Sequence, residues 1–465
     1  MSSQQEIGLD YSNCTAGFVG EHGLKQSDIR ALYPKLSSIY NIVQQKKSSG
    51  ALGFMELPYK IDDAKKICNF AKGQRTKFDD FVVIGIGGSA LGNIALQTAL
   101  NHPFWNILSK KQRKNCPRLF VPDNVDPELI KSLLDVLNVK KSVFNIISKS
   151  GTTAECLANF FVLKNALIKK VGSKNWQKHI IISTDEKKGY LRELADREKI
   201  ASFVIPANVG GRFSVLSPVG LISASFCGIE IEKLLEGARD MDSRCGQDTS
   251  KNPAAIYAAI QYALYQKGKK INVMMPYCQS LKDVSDWFRQ LWAESLGKKT
   301  NIKGEIVNVG PTPVKALGVT DQHSQVQLYI EGPYDKVVTF LSVEKYREVV
   351  RVPVTKQKHY LEGHTLNELI KSEEEATRVA LTKQMRPNCT ITLPEVSEYT
   401  IGQLFYMLEL ATAYIGELFE INAFDQPGVE LGKVLTYGYM GRSGFEKEKK
   451  EIQEFLLRKN TDCIV

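Results

Sequence analysis

The sequence predicts an α/β fold with mainly parallel sheets, arranged as two units between helical ends, and three observations carry that prediction. Short apolar runs alternate with amphipathic stretches from Phe81 to Pro206, the rhythm of strands joined by crossover helices. The rhythm starts again near Ile271, as a second copy of the architecture with no repeat of the sequence. The ends of the chain, before about residue 75 and after about Thr400, return to helical pieces.

Taken in order, the N-terminal pieces are broken by "SSGALGF" (Ser48 to Phe54), a loop by composition. "FVVIGIGG" (Phe81 to Gly88) is a buried strand running into glycines, and "SALGNIALQTAL" (Ser89 to Leu100) has helical periodicity. "RLFVPD", "VFNIIS", "HIIIST" and "SFVIP", starting at Arg118, Val143, His179 and Ser202, continue the strands. In the second unit "INVMMP" (from Ile271) is a strand, and Ser280 to Gly297 is a helix capped by Ser280 and stopped by Gly297. "EIVNVG" (from Glu305) is the next strand, and "VQLYIEGPYDKVVTFLSV" reads as two extended runs around Gly332-Pro333. Such sheets keep their ligands at the carboxyl ends of the strands.

Composition narrows the function. The 465 residues exceed what one simple core holds. The formal charge of +10, from 61 Lys and Arg against 51 Asp and Glu, is scattered. "EKEKKEIQ" (from Glu446) alternates in sign like a solvated helix face, and no RNA-binding or zinc-finger pattern accompanies the basic residues. Nucleic acid is not expected. Nine cysteines without a C-x-x-C pair read as reduced thiols of a cytoplasmic protein. The N-terminus shows no signal-peptide pattern. The most apolar segment, Leu404 to Ile421, carries Glu409, Glu417 and Glu420, so it reads as a buried helix and not a membrane span.

Six stretches could carry chemistry. In "GIGGS", Gly88 and Ser89 offer a backbone N–H and a hydroxyl where a helix begins, a start for an anion site. The spacing is not the dinucleotide G-x-G-x-x-G, and a simple tight turn is the plainer alternative. "SKSGTT" (Ser148 to Thr153) follows a strand with four hydroxyls and a lysine, donors suited to the three oxygens of a phosphate monoester. It is neither a nucleotide P-loop nor a nucleophile elbow.

"RQLWAESLGKK" sets Gln290 and Glu294 four apart on one helix face. A solvated helix-end Glu is the plain reading, and a carboxylate base beside apolar groups the functional one. "TDQHSQ" holds His323, read alone as a surface histidine; no two of the six histidines have metal-ligand spacing, which argues against zinc. "VGGRFSVLSPVG" places Arg212 behind two glycines, free to face an oxyanion or to make a loop salt bridge. "FDQPGVELGK" joins Gln426 through a turn to Lys433, a slight signal by itself.

Together and in this order, "GIGGS", "SKSGTT", "GGRFSVLSPVG", "WAESLGK", "DQHSQ" and "FDQPGVELGK" resemble the motifs of the glucose-6-phosphate isomerase family, and "LDYSN" near residue 10 resembles the start of its bacterial-length members. The resemblance implies two sugar-isomerase (SIS) domains, residues 76–235 and 236–400, wrapped by an N-terminal helical segment, 1–75, and a C-terminal one, 401–465, that packs on them. It implies reversible conversion of glucose 6-phosphate to fructose 6-phosphate, in glycolysis and gluconeogenesis, through a cis-enediolate, with no cofactor and no metal. Gly88, Ser89, Ser148, Lys149, Ser150 and Thr153 would hold the phosphate. Glu294 would shuttle the proton between C2 and C1, and Arg212 would steady the enediolate. His323 and Lys433 would open the ring, with Gln290 and Gln426 lining the site. The family's histidine comes from the neighbouring subunit, so a homodimer is implied. Phe54, where many members carry tryptophan, lies outside the chemical motifs. The alternatives are an SIS-type sensor that binds sugar phosphate without chemistry, which would not need Glu294, His323 and Lys433, and an aminating isomerase, for which the N-terminus shows no glutaminase-like segment.

Overall fold

The computed structural model describes residues 5–355, 358–458 and 463. The chain starts with a three-residue strand, β1 (Gly8–Asp10), and the helices Gln26–Ser48 and Ile61–Gln74. It then builds a wholly parallel sheet from β2 (Asp80–Ile84), β3 (Arg118–Phe120), β4 (Ser142–Ile147), β5 (Ile180–Thr184) and β6 (Ala201–Val204), in the order β3-β2-β4-β5-β6. Every residue of β2, β4 and β5 is buried, because helices cover both faces, and this is why these strands read as continuous apolar runs. Asp80, fully buried at the start of β2, is compensated by Arg118 Nε at 2.6 Å and the Asn138 N–H at 2.9 Å.

The second sheet takes β7 (Ile271–Pro276), β10 (Thr312–Lys315), β11 (Lys336–Lys345) and β12 (Asn388–Glu395), while β8 (Lys298–Thr300) and β9 (Ile306–Val309) form a separate antiparallel hairpin. Its order is β1-β12-β11-β7-β10, with β1 the one antiparallel strand, so the expected two-unit, mainly parallel α/β architecture is borne out. The two sheets share one wiring. In each, the first strand is followed by a neighbour on one side, and the third strand then crosses to the other side. The switch points fall between β2 and β4, and between β7 and β11.

Three local expectations need correction. Val326–Glu331 is a helix, not an extended run: Tyr329 is buried and Val326 and Ile330 pack beside it on the second sheet, a helical spacing that the neighbouring Gly332-Pro333 turn masked. Ser280 does not cap its helix. It lies in the 3-10 turn Gln279–Leu281, with its Oγ 3.0 Å from Cys278 Sγ, and the helix begins at Lys282. The strand at Ile306–Val309 pairs only within the hairpin, and the short β10 behind it is the one that joins β7. The stop at Gly297 is as expected.

Helix Glu398–Leu418 is buried along almost its whole length and packs on helices Ile231–Arg244 and Pro253–Gln266. Among the described residues no helix is long and apolar enough to cross a membrane. The described cysteines are all unpaired. Helices Glu430–Tyr439 and Glu446–Leu457 pack chiefly on each other, and the second shows the expected solvated face. Helix Lys282–Leu296 bridges the two units: it touches both helix Leu91–Leu100 of the first and β10 of the second.

Candidate active site

Two loops leave the switch point of the first sheet. Behind β2, residues Gly87–Ser89 make a 3-10 turn, with the Ser89 N–H donating to Ile86 O at 3.0 Å. A Cβ on Gly88 would lie 2.2 Å from the carbonyl carbon of Gly211, so only glycine lets this turn rest on the backbone that carries Arg212. Behind β4, buried Ser148 shares a 2.8 Å hydrogen bond with the Thr153 hydroxyl, and Ser150 Oγ accepts from the Thr152 N–H at 3.2 Å. Helix Ala154–Val171 starts directly after Thr153 and has no side-chain cap. Its first-turn N–H groups and the positive end of its dipole therefore face the hydroxyl-rich loop with nothing bonded to them from Thr153.

Lys149 points elsewhere. Its ammonium donates to the carbonyls of Ala207 (2.6 Å) and Val209 (2.9 Å), and burial pushes its pKa down. The lysine ties the loop to the segment leading into Arg212. Phe54 packs on Phe213 and Phe424, at ring separations of 5.0 and 6.3 Å, so the residue at the tryptophan position supports the same segment from below.

Arg212 is the centre of the polar cluster. Its side chain is 2% exposed and makes five bonds: Nε to Ser295 Oγ (2.6 Å), one terminal nitrogen to Glu294 Oε2 (3.2 Å) and Gln426 Oε1 (3.0 Å), the other to the carbonyls of Ala423 (2.6 Å) and Asp425 (3.1 Å). Desolvation pulls its pKa down and the Glu294 charge pulls it back up. Glu294 sits on the last turn of helix Lys282–Leu296, and its Oε1 accepts from Gln290 Nε2 at 3.0 Å, the four-residue pairing read from the sequence. The carboxylate side chain is 32% exposed: held from two sides, reachable from the third. A Cβ on Gly87 would come within 2.9 Å of Gln290 Nε2, so the loop behind β2 also touches this cluster.

Two expected residues stand apart. His323 is exposed in the 3-10 turn Thr320–His323, and its ring makes no hydrogen bond among the described residues. The topology explains the separation. Helix Lys282–Leu296 returns from the carboxyl end of β7 and reaches Glu294 about 18 Å along its length, whereas His323 follows the carboxyl end of β10, parallel to β7. Lys433 is exposed on helix Glu430–Tyr439 and pairs with Glu430 at 2.8 Å. Lys298, which no motif argument singled out, is buried against the cluster; a lysine directly behind the helix-stopping Gly297 was the available signal. Among the described residues no three His, Cys, Asp or Glu side chains converge as for a metal ion.

A carboxylate fixed by a buried guanidinium beside the Gly87–Ser89 turn, on a switch point that also carries a hydroxyl-rich loop and an uncapped helix start, is an arrangement of an α/β fold that can serve general-base chemistry on a small anion. A profile of the phosphoglucose isomerase family matches residues 66–440. The chain is 49% identical over 450 residues to a glucose-6-phosphate isomerase of Carboxydothermus hydrogenoformans, covering 96% of this chain and 97% of that one. It is 40% identical over 446 residues to that of Rubrobacter xylanophilus, covering 95% and 99%. A crystal structure from Thermus thermophilus, described as a hypothetical protein, matches with a TM-score of 0.83 at 37% identity, over 94% of this chain and all of that one. A glucose-6-phosphate isomerase from Chlamydia trachomatis shares the fold, with a TM-score of 0.73 at 24% identity over 86% of this chain and 77% of that one. The chain belongs to the phosphoglucose isomerase family.

Proposed function

We propose that the chain interconverts glucose 6-phosphate and fructose 6-phosphate, as a cytoplasmic enzyme of glycolysis and gluconeogenesis. The observation that carries the reading is the Glu294 carboxylate, clamped by Arg212 and Gln290 yet open on one side. Residues 76–235 act as the phosphate-holding unit and 236–400 as the unit that brings the base and the histidine, with 1–75 and 401–465 as the helical wrapping. No observation favours a sensor, which has no use for a buried guanidinium fixed on a carboxylate.

The phosphate binds in the crevice of Gly88, Ser89, Ser148, Ser150 and Thr153 on the uncapped helix start, with Lys149 holding the loop in place. Anchoring that end leaves C1 and C2 to be oriented at Glu294. His323 and Lys433 open the ring. Glu294 takes the proton from C2 and the electrons move onto the C1 carbonyl oxygen; the O2 hydroxyl proton passes to O1, and the same carboxyl returns its proton to C1 as the C2 carbonyl forms. One base serves both carbons because the enediolate is planar. A positioned base supplies about 10²–10⁴-fold, and Arg212 beside it supplies charge stabilisation of the oxyanion. Because His323 follows β10 at the carboxyl edge of the second sheet while Glu294 sits at the far end of the helix behind β7, we assign His323 to the site of a second subunit and take the active unit as a homodimer.

Glu294→Gln keeps the shape and removes the base. Fructose 6-phosphate turnover in a coupled assay should fall by at least about 100-fold while sugar-phosphate binding persists; near wild-type turnover would sink the assignment. Unfolding and refolding this variant together with His323→Ala tests the dimer. A mixed dimer has one site with both residues intact, so activity should reappear from two inactive proteins, and its failure to reappear places the histidine in its own chain's site.

A further inference from the structure

Beneath the Glu294 carboxylate lies a second buried cation. Lys298 follows Gly297 directly, and its side chain is 5% exposed. Its ammonium donates to the main-chain carbonyls of Glu294 (2.8 Å) and Asp425 (2.5 Å) and pairs with the Asp425 carboxylate at 3.1 Å. The three donors of an ammonium are thus all used. The Glu294 carbonyl is among the last four of helix Lys282–Leu296, which have no partner within the helix, and a cation there also meets the negative end of the dipole.

The same ammonium reaches the other wall of the cluster. Asp425 O also accepts from Arg212, and the next residue, Gln426, accepts from the Arg212 nitrogen that holds Glu294. Lys298 and Arg212 therefore grip the turn Ala423–Gln426 from two sides. That turn leads into the helix carrying Lys433.

We propose that Lys298 is a positioning residue for proton transfer, fixing the Glu294 end of its helix and the Asp425–Gln426 turn at one spacing. Lys298 touches neither the phosphate crevice nor the reacting carbons, so its work is geometric. The proposal rests on Glu294 being the base. Charge alone could not do this work at so buried a position without the two carbonyls, since an unpaired ammonium there is costly. The contacts require a flexible stem and a compact head, which a planar guanidinium does not reproduce.

Lys298→Met, with Lys298→Arg beside it, tests the proposal. In folded Lys298→Met, confirmed by its melting curve, kcat for glucose 6-phosphate should fall about 10- to 100-fold while KM stays within about twofold, the signature of a misplaced reacting group with an intact phosphate site. The primary isotope effect with substrate deuterated at C2 should rise as proton transfer becomes slower. A merely structural lysine would lower the amount of folded enzyme and leave both the isotope effect and kcat per folded site unchanged, and that result overturns the proposal. Should Lys298→Met not fold, Lys298→Arg decides: a lowered kcat with a raised isotope effect supports the positioning role, and wild-type values overturn it. Glu294→Gln, run alongside, separates the two readings. If it stays active the base assignment fails; if it is inactive and the Lys298 variants are normal, the positioning role alone fails.

Discussion

Glu409 lies in the middle of helix Glu398–Leu418, fully buried, and neither of its carboxyl oxygens has a hydrogen-bond partner among the described residues. Burial pushes its pKa well above the ordinary 4.5, because ionisation there would place a charge in an apolar core with nothing to balance it. The native state therefore keeps a proton that the unfolded chain releases once pH passes the ordinary value. In that window the folded protein binds more protons than the unfolded one, so stability falls as pH rises. The contribution is fully present below the unfolded pKa and is lost as pH climbs towards the folded one. The limiting slope is about 1.4 kcal/mol per pH unit between the unfolded and the folded pKa. Glu409→Met replaces the group with an unbranched apolar chain of similar length. The variant should gain stability relative to the wild type as pH rises above the ordinary carboxyl range, and the difference should shrink on acidification by up to about 1.4 kcal/mol per pH unit. Urea unfolding at pH 6, 7 and 8 and matched ionic strength measures it, since all other titrations cancel in the difference. Parallel stability–pH curves for the two proteins would refute the reasoning.

Two further outcomes concern the site. Arg212→Lys retains the charge but cannot keep five bonds from one planar fork, so kcat should fall by about 100-fold or more with a smaller change in KM; steady-state kinetics within tenfold of wild type would contradict the central role of the guanidinium. Ser148→Ala removes the hydroxyl shared with Thr153, and loss of one bond to a charged group should raise KM about tenfold with kcat little changed; an unaltered KM, and unaltered inhibition by inorganic phosphate, would move the phosphate away from this loop.

The fold was legible because buried parallel strands announce themselves. β2, β4 and β5 are wholly buried and could hardly read otherwise, and glycines at their ends mark the turns. What failed was short or local. β10 has four residues, none buried on both sides, and Val326–Glu331 is less than two helical turns, too little for a period to emerge. The partnership of Gln290 with Glu294 was readable from four-residue spacing, whereas that of Arg212 with Glu294, 82 positions apart, and with Gln426, 214 apart, was not. The first pairing exists because helix Lys282–Leu296 bridges the two units, the second because the turn Ala423–Gln426 lies against Arg212. Lys298 and Glu409 carried the weakest signals, as a single charged residue in an ordinary context gains meaning only from what surrounds it in space.

The common wiring of the two sheets raises the question of why one switch point carries the hydroxyl-rich crevice and the other does not. At the first, the helix start behind β4 keeps its N–H groups free, since the Thr153 hydroxyl bonds Ser148 and leaves it uncapped, and the Gly88 turn stays slim enough to lie against Gly211. At the second, the polar groups are already committed. Tyr346 donates to the Tyr277 carbonyl at 2.6 Å, so the loops behind β7 and β11 are bonded to each other. Arg347 donates to the carbonyls of Ala99 (2.8 Å) and Leu100 (3.3 Å), at the end of a helix from the first unit. The cavity of about 670 Å³ that remains there is bordered by Leu100, Val343, Val350 and Ile370, with Ser280 its one hydroxyl-bearing aliphatic side chain. The carboxyl edge of the second sheet thus joins the units, and its helix turns the opposite end, with Glu294, towards the first sheet's crevice. A duplicated architecture becomes one asymmetric site in this way: one copy offers the loops of its switch point, and the other offers the far end of the helix that follows its first strand.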